Sequence, residues 1–223
     1  MILTEIKLKL PQITAAMQRW KDARNSAGLT QMTAWLNQGN VFSYARDINN
    51  IPVYPDQKAY VHAYPGIINE AGVDTLYFMV VSGYLDVSTN MNIAENTHCY
   101  RIDSGQPSKT STGGMPIDEA LQRIQNWEEH HDYWIGQNIS TANSIFQAFV
   151  IPQDDSATGL THNAFLALVT NTAAPGGFTP DLIIEDIDGS SIIYADTVEF
   201  IPPMGGVHTP LSPARFYLLS LLT

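Results

Sequence analysis

The densest group of ionisable side chains lies in one short run, EEHHD at residues 128–132. On a helix, residues three and four positions apart share a face, so Glu128, His131 and Asp132 would point the same way. Two carboxylates and an imidazole are ligands that a divalent metal accepts. The spacing differs from the His-Glu-x-x-His signature of zinc proteases, and no second helix supplies matching ligands. The first interpretation is a metal site at these three residues, and the alternative is a solvated helix face with His131 at the edge of the core.

A second candidate site consists of aromatic and histidine side chains that alternate along two predicted strands. In YVHAY, Tyr60, His62 and Tyr64 fall on one face. In a later strand His98 and Tyr100 share a face. If the two strands are neighbours, these side chains would line a cavity suited to a planar or sugar-like ligand. The alternative is that each hydroxyl and imidazole is buried and hydrogen-bonded locally.

The sequence lacks the motifs of nucleophilic and nucleotide-dependent catalysis. It has no Gly-x-Ser-x-Gly elbow, and its glycine pairs match neither a P-loop nor a dinucleotide fingerprint. The single cysteine, Cys99, excludes an intramolecular disulfide and is expected to be an inert buried thiol. Six acidic residues between positions 181 and 199 are predicted to lie on a solvated sheet face. We expect no cofactor, and whether the protein is an enzyme stays open.

A repeated helix must position the ionisable run. Residues 11–20, PQITAAMQRW, and residues 115–124, MPIDEALQRI, carry Ile, Ala, a long apolar residue, Gln and Arg in the same order. Ile117 follows Ile13 by 104 positions, and the same offset places residues 41–42 on residues 145–146. With a shift of about two residues, two later apolar runs also correspond. We interpret this as a duplicated unit, against the alternative of two unrelated amphipathic helices.

Periodicity assigns the other elements. Apolar residues at three- and four-residue spacing predict helices at 11–27 and 116–135, with a short helix at 30–36. Alternation predicts strands in both halves of the chain, at 2–10, 41–48, 59–64, 75–82, 97–102, 145–151, 164–170, 182–187 and 192–201. The apolar residues 216–222 fit either a final strand or a third helix.

These elements predict an α+β fold of two related units. Each unit is a helix followed by about four antiparallel strands, with the helices packed on one face of the sheet, and a pseudo-twofold duplication would relate the units. We place the first unit at residues 1–104 and the second at residues 115–223, packed together as one body. Residues 105–114, which are rich in Gly, Ser and Thr, form the linker segment between them.

Composition limits the partners. The chain of 223 residues is 44% hydrophobic, enough to bury a core, and its net charge of −11 repels nucleic-acid phosphates and anionic lipids. No apolar run is long enough to span a bilayer, and residues 1–11 predict a strand rather than a signal peptide. We therefore expect an acidic, cytoplasmic protein that binds neither nucleic acid nor membrane.

The sequence favours a non-catalytic protein that binds a small ligand or a protein partner at the sheet face or in the cleft between the units. One alternative is a hydrolase that uses the Tyr and His strand faces or a metal at the helix of His130 and His131. The other is an assembly component, in which residues 216–222 and a weakly charged surface mediate homo-oligomerisation.

Overall fold

The computed structural model describes residues 5–26, 28–45, 60–139, 145–152, 161–196, 198–201 and 216–222. Within these ranges the chain forms two β-sheets of mostly antiparallel strands together with four α-helices. The predicted α+β class is therefore confirmed. None of the helices in the described ranges combines the length and the apolar character that crossing a membrane requires.

The helices follow the predicted apolar periodicity closely. They are α1 (Leu10–Ser26), α2 (Leu29–Leu36), α3 (Ile117–Asn138) and α4 (Tyr217–Ser220), with one 3₁₀ turn at Pro175–Gly177. Helix α3 continues through Gly136, where the sequence predicts its end. Its last turn is held instead by Asn138, whose Nδ2 donates to the carbonyls of Trp134 and Pro175 at 2.8 and 3.1 Å.

The strands form two sheets. In chain order they are β1 (Glu5–Ile6), β2 (Val41–Ala45), β3 (Tyr60–Glu70), β4 (Val73–Ser82), β5 (His98–Arg101), β6 (Gly113–Gly114), β7 (Ala148–Pro152), β8 (Thr161–Thr170), β9 (Phe178–Asp188), β10 (Ser191–Ala195) and β11 (Glu199–Ile201). Sheet A has the order β1-β5-β4-β3-β7-β11, and sheet B has the order β2-β8-β9-β10-β6. Every pair of neighbours is antiparallel except β10 and β6.

Each sheet contains a strand from the other side of the linker segment. Strand β2 precedes the linker but pairs with β8 in sheet B, where Val41 lies opposite Phe165. Strand β7 follows the linker but pairs with β3 in sheet A, where Phe149 lies opposite Ala63. Both sheets therefore need residues from both halves of the chain.

The two sheets face each other across one aromatic core. The rings of Phe42 and Phe78 stack with centroids 4.2 Å apart, and those of Phe146 and Phe149 lie 4.7 Å apart. Trp20, near the end of α1, stacks on Phe146 at the end of the sandwich. All five side chains are almost fully buried, so the space between the sheets is filled by aromatic side chains here.

The helices cover the outer faces of the sandwich. Helix α1 packs on sheet A in an apolar cluster that includes Ile13, Ala16, Met17, Tyr64 and Met79. Helix α3 packs on sheet B in a second cluster that includes Ala120, Ile124, Phe165, Ala167 and Ile183. The order of layers is therefore α1, sheet A, sheet B and α3.

Several predicted boundaries are wrong for identifiable reasons. Strand β3 runs through Pro65 and Gly66, which the sequence assigns to a loop. Proline is tolerated there because β7 pairs with β3 only up to Ala63, so one side of the strand carries no partner beyond that point. Gly66 lets α1 approach, since a Cβ atom at this position would lie 3.1 Å from the backbone of Ala16. The turn follows instead at residues 71–72, where both φ angles are positive.

Other differences concern the ends of the chain and the last predicted strand. The predicted strand at 192–201 is two strands, β10 and β11, which belong to different sheets. Strand β1 occupies only two residues of the predicted 2–10, with residues 2–4 outside the described ranges, as are residues 46–48 of the predicted 41–48. Of the two predictions for residues 216–222, the helix is confirmed by α4.

Candidate functional site

The structure does not bring the five predicted Tyr and His residues into one cavity. Strand β4 lies between β3 and β5, with His62 opposite Val81 and His98 opposite Val80. Adjacent residues of a strand point to opposite faces, so the two histidines lie on opposite faces of sheet A. Tyr60 and Tyr64 share the outer face with His62, whereas Tyr100 belongs to the core between the sheets.

The outer-face group is a buried polar cluster that the C-terminal residues cover. The carboxylate of Asp86 accepts a short hydrogen bond from the Tyr64 hydroxyl and lies 2.8 Å from Nδ1 of His62. Its other oxygen accepts from the backbone N–H of Leu218 at 2.9 Å, and the ring of Phe216 stacks on His62. Burial, followed by the nearby Asp86, raises the pKa of Tyr64 well above its usual value. The cluster therefore anchors residues 216–222 to sheet A.

The structure brings two of the three predicted metal residues together, His131 and Asp132, while Glu128 contacts a different residue. Oε1 of Glu128 accepts from Asn40, and His131 lies 2.7 Å from the carbonyl of Trp127 through Nδ1. Asp132 is exposed and lies 3.2 Å from Nε2 of His131. Within the described ranges, no three His, Cys, Asp or Glu side chains are arranged to hold a metal ion.

Glu128 instead belongs to a groove between the linker segment and α3. The groove is open and has a volume of about 270 Å³. Its apolar lining comes from Leu121 and Ile124, and charged and polar groups form the two rims. The linker rim consists of Gln106, Pro107 and Lys109, and the helix rim consists of Gln125, Glu128 and Glu129. The helix residues recur at three- and four-residue spacing, so the groove follows the axis of α3.

Asn40 closes one end of this groove. Its Nδ2 donates to the carbonyl of Gly105 at 3.0 Å and to Glu128 at 2.9 Å, while its Oδ1 accepts from the N–H of Gly105. The preceding residue must be glycine, because a Cβ atom on Gly39 would lie 2.4 Å from the carbonyl oxygen of Asp103. The linker segment is thus tied to α3 and to the start of β2.

A buried carboxylate holds the middle of the linker segment. Glu185 of β9 is 3% exposed, and its Oε1 accepts from the backbone N–H of Ser108 at 2.7 Å. The hydroxyl of Tyr194 lies 2.8 Å from the same oxygen and 2.7 Å from the carbonyl of Ser108. Oε2 accepts from Asn163, whose Oδ1 in turn accepts from Ser43. Four segments of the chain therefore meet at one carboxylate.

The opposite charges on the rims do not neutralise each other. Lys109 is exposed and forms no ion pair with a residue that the structure describes. Glu128 contacts the neutral Asn40, and Glu129 accepts from Gln125 at 2.6 Å, while its other oxygen lies 3.9 Å from Nε2 of His130 outside the groove lining. The groove therefore presents an ammonium group on one rim and two carboxylates on the other.

Arg123 fixes the angle of α3 on sheet B. Its Nη1 lies 3.1 Å from Asp181 and 3.0 Å from Asp196, and its Nη2 lies 2.5 Å from Glu119. Burial raises the pKa of Asp181 from 3.8 to about 6, although the N–H of Leu182 and the guanidinium oppose this shift. Asp181 is thus a carboxyl group whose charge is costly in the folded state.

The sequence gives little warning of these residues. Asp181, Glu185 and Asp186 are all buried, so the predicted solvated sheet face is wrong for them. Oδ1 of Asp186 lies 3.1 Å from Nδ1 of His162, on the other face of sheet B. Glu185 and Asn163 become partners only because β8 and β9 pair in the register that sets them opposite each other.

We expect Glu185→Gln to loosen the linker segment. A glutamine carboxamide directs an N–H₂ group at donors that now face an oxygen, and each unmatched buried group costs about 1–3 kcal/mol. Chemical denaturation should show a loss of this size. The control is Asp188→Asn, at the exposed end of the same strand. Equal stabilities of the two variants would show that Glu185 is not an anchor.

We expect Asp181 to make stability fall as the pH rises. Because its folded pKa of about 6 exceeds the unfolded value, the folded state keeps a proton between pH 4 and 6 that the unfolded state has lost. The difference of about two pKa units corresponds to about 3 kcal/mol. The free energy of unfolding of Asp181→Asn, relative to the natural chain, should therefore rise by up to this amount from pH 4 to pH 7.

The control for this titration is Asp196→Asn, which removes a more exposed carboxylate from the same arginine. Asp196 makes the smallest contribution to the raised pKa of Asp181, so the stability of this variant should stay close to the pH profile of the natural chain. Parallel profiles for Asp181→Asn and the natural chain would contradict the raised pKa.

The groove lining is mostly polar and charged. It contains an ammonium group, two carboxylates and two carboxamides, and it contains no Ser, Cys or His. Burial raises the pKa of the Cys99 thiol to about 12, which keeps this thiol, which lies outside the groove, protonated and unreactive.

No protein-family model, no curated protein and no solved structure matches the chain.

Proposed function

We propose that this chain is a non-catalytic binding protein that holds a small polar molecule or a short peptide in the groove between the linker segment and α3. The observation that carries this proposal is a preformed groove with an apolar lining and unneutralised charges on both rims. Binding sites commonly combine apolar walls with a few fixed polar groups. At about 270 Å³ the groove lies just below the usual range of pocket volumes, which favours a small ligand.

The hydrogen bonds that fix the linker segment support the binding proposal. Gly105 and Ser108 are held by Asn40 and Glu185, so both walls are in place before a ligand arrives. A preorganised wall loses little conformational entropy on binding, and more of the contact energy is expressed as affinity. The cation and carboxylates on the rims then select which groups enter.

The two alternative functions have less support. A hydrolase built on His62 and Tyr64 would need access to a cluster that Phe216 covers. An assembly role for residues 216–222 would need their apolar side chains at the surface, but Phe216, Leu218 and Leu219 are buried against the chain's own sheet.

A duplicated origin of the two halves is part of this proposal. The repeated Gln and Arg residues make matching contacts, the glutamine with the side chain four positions on and the arginine with an aspartate on the second long strand of its sheet. These contacts are Gln18 to Asp22 (2.7 Å), Gln122 to Asn126 (3.0 Å), Arg19 to Asp74 (2.6 Å) and Arg123 to Asp181 (3.1 Å). Each half also contributes a strand to the sheet of the other half, which we call the strand exchange. Strand β2 of the first half joins β8 in sheet B, and β7 of the second half joins β3 in sheet A.

The binding proposal predicts localised changes in an amide-resolved NMR titration. With a mixture of free amino acids, dipeptides and tripeptides as probes, the amides of Gln106, Ser108, Lys109 and residues 121–129 should shift. Leu121→Trp fills the groove and should abolish these shifts. The control Leu29→Trp alters an exposed leucine outside the groove and should preserve them. Absence of groove shifts at millimolar probe, or binding that survives Leu121→Trp, would refute the proposal.

The duplicated, strand-exchanged arrangement predicts that the halves assemble without a covalent link. A protease site inserted between the exposed Lys109 and Thr110 allows the folded chain to be cut. The fragments should elute together at the mass of the uncut chain, and should regain its circular dichroism when refolded as a mixture. Uncleaved protein with the same insertion is the control. Fragments that separate under native conditions would contradict the prediction that the two halves assemble without a covalent link.

A further inference from the structure

The charges of the groove are separated along the helix axis. Asn40 binds both Gly105 and Glu128, so the start of the linker segment lies beside the later part of α3. The linker then runs toward the beginning of that helix, because the N–H of Met115 bonds to Tyr194 just before α3 starts. Lys109 therefore lies nearer the Leu121 end of the groove, while Glu128 and Glu129 mark the other end.

The length of the groove can be estimated from the helix. Leu121 and Glu128 are seven residues apart, which is about 10 Å at the helical rise of 1.5 Å per residue. An extended peptide advances about 3.3–3.6 Å per residue, so three residues span this distance. The spacing of Leu121 and Glu128 along the helix thus matches the length of an extended tripeptide.

On these grounds we infer that the groove takes a short zwitterionic peptide of about three residues, with its ammonium group at Glu128 and Glu129 and its carboxylate at Lys109. This inference rests on the proposed function and names the ligand class of the same groove. The middle residue lies over Leu121 and Ile124, which favours an apolar side chain.

Overall charge sharpens the choice of ligand. A net charge of −11 disfavours a ligand that is only anionic, because the field of the whole protein repels it. A purely cationic ligand would leave Lys109 without a counter-charge and would bring a like charge close to it. A zwitterion in the stated direction satisfies both ends of the groove.

The experiment measures the affinity of four forms of one peptide for the intact protein. Ala-Leu-Ala is used with both termini free, with an acetylated N-terminus, with an amidated C-terminus and with both termini blocked. Each block should weaken binding about 5- to 10-fold, the effect of removing one partly exposed charge interaction of about 1 kcal/mol. Titrations followed by the amides of Gln106, Ser108, Lys109 and residues 121–129 report whether the peptide occupies the groove.

Variants assign each end of the peptide. Lys109→Met keeps the aliphatic stem and should remove the discrimination against the amidated peptide only. The pair Glu128→Gln and Glu129→Gln should remove the discrimination against the acetylated peptide only. Lys9→Met and Asp118→Asn, which change exposed charges outside the groove lining, should leave both discriminations intact.

The outcomes separate the two levels of the claim. Blocked and free peptides that bind the groove equally would overturn the zwitterion assignment and leave the proposed function standing. The stated direction would be overturned if Lys109→Met removed the discrimination against the acetylated peptide and the glutamate variants removed the discrimination against the amidated peptide. If no peptide form shifts the groove amides while other small molecules do, the peptide class is wrong. If nothing shifts them, the proposed function fails as well.

Discussion

The buried carboxylate of Glu185 is the constraint on which the groove depends. Removing an ionised carboxylate from water costs several kcal/mol unless hydrogen-bond donors replace its hydration shell. Here the donors are the backbone of Ser108, the hydroxyl of Tyr194 and the amide of Asn163, from three separate segments. Strand β9 can bury Glu185 at low cost only when all three segments are in place. The conformation of the linker segment is therefore coupled to the folding of sheet B, which explains why a Gly- and Ser-rich run forms a fixed wall.

The strand exchange supplies the second fixed point. Asn40 lies immediately before β2, the strand that the first half of the chain contributes to sheet B. Its side chain bonds the linker at Gly105 and the helix at Glu128, and its carbonyl accepts from Leu166 of β8. Were β2 in sheet A with the strands that follow it, this asparagine would not reach either wall. Asn40 can therefore hold both walls of the groove because β2 pairs in sheet B.

Local periodicity predicts the helices and most strands of this chain because burial alternates with the period of each element. It does not predict which strands are neighbours. His62 and His98 each lie in a strand as expected, but β4 separates the two strands and the side chains lie on opposite faces, so the predicted shared cavity does not form. Periodicity also fails for Glu185, because an acidic residue in a strand is usually solvated and its burial here depends on donors that only the tertiary structure brings together, among them Asn163. The linker composition indicates flexibility, whereas the contacts that fix it come from residues far away in sequence. Glu128 is the one predicted site residue that lines the groove, where it lies on the helix rim.

The proposed ligand binding requires no rearrangement of the groups that hold the walls of the groove. A carboxylate has about four acceptor positions, so Glu128 can accept an ammonium group and still keep its hydrogen bond from Asn40. Lys109 engages no described residue through an ion pair, and its three donors can turn toward a carboxylate. Because these charges remain partly in water, each contributes modestly to affinity. Selectivity must then come from the spacing of the charges along α3, which the buried anchors at Asn40 and Glu185 hold constant.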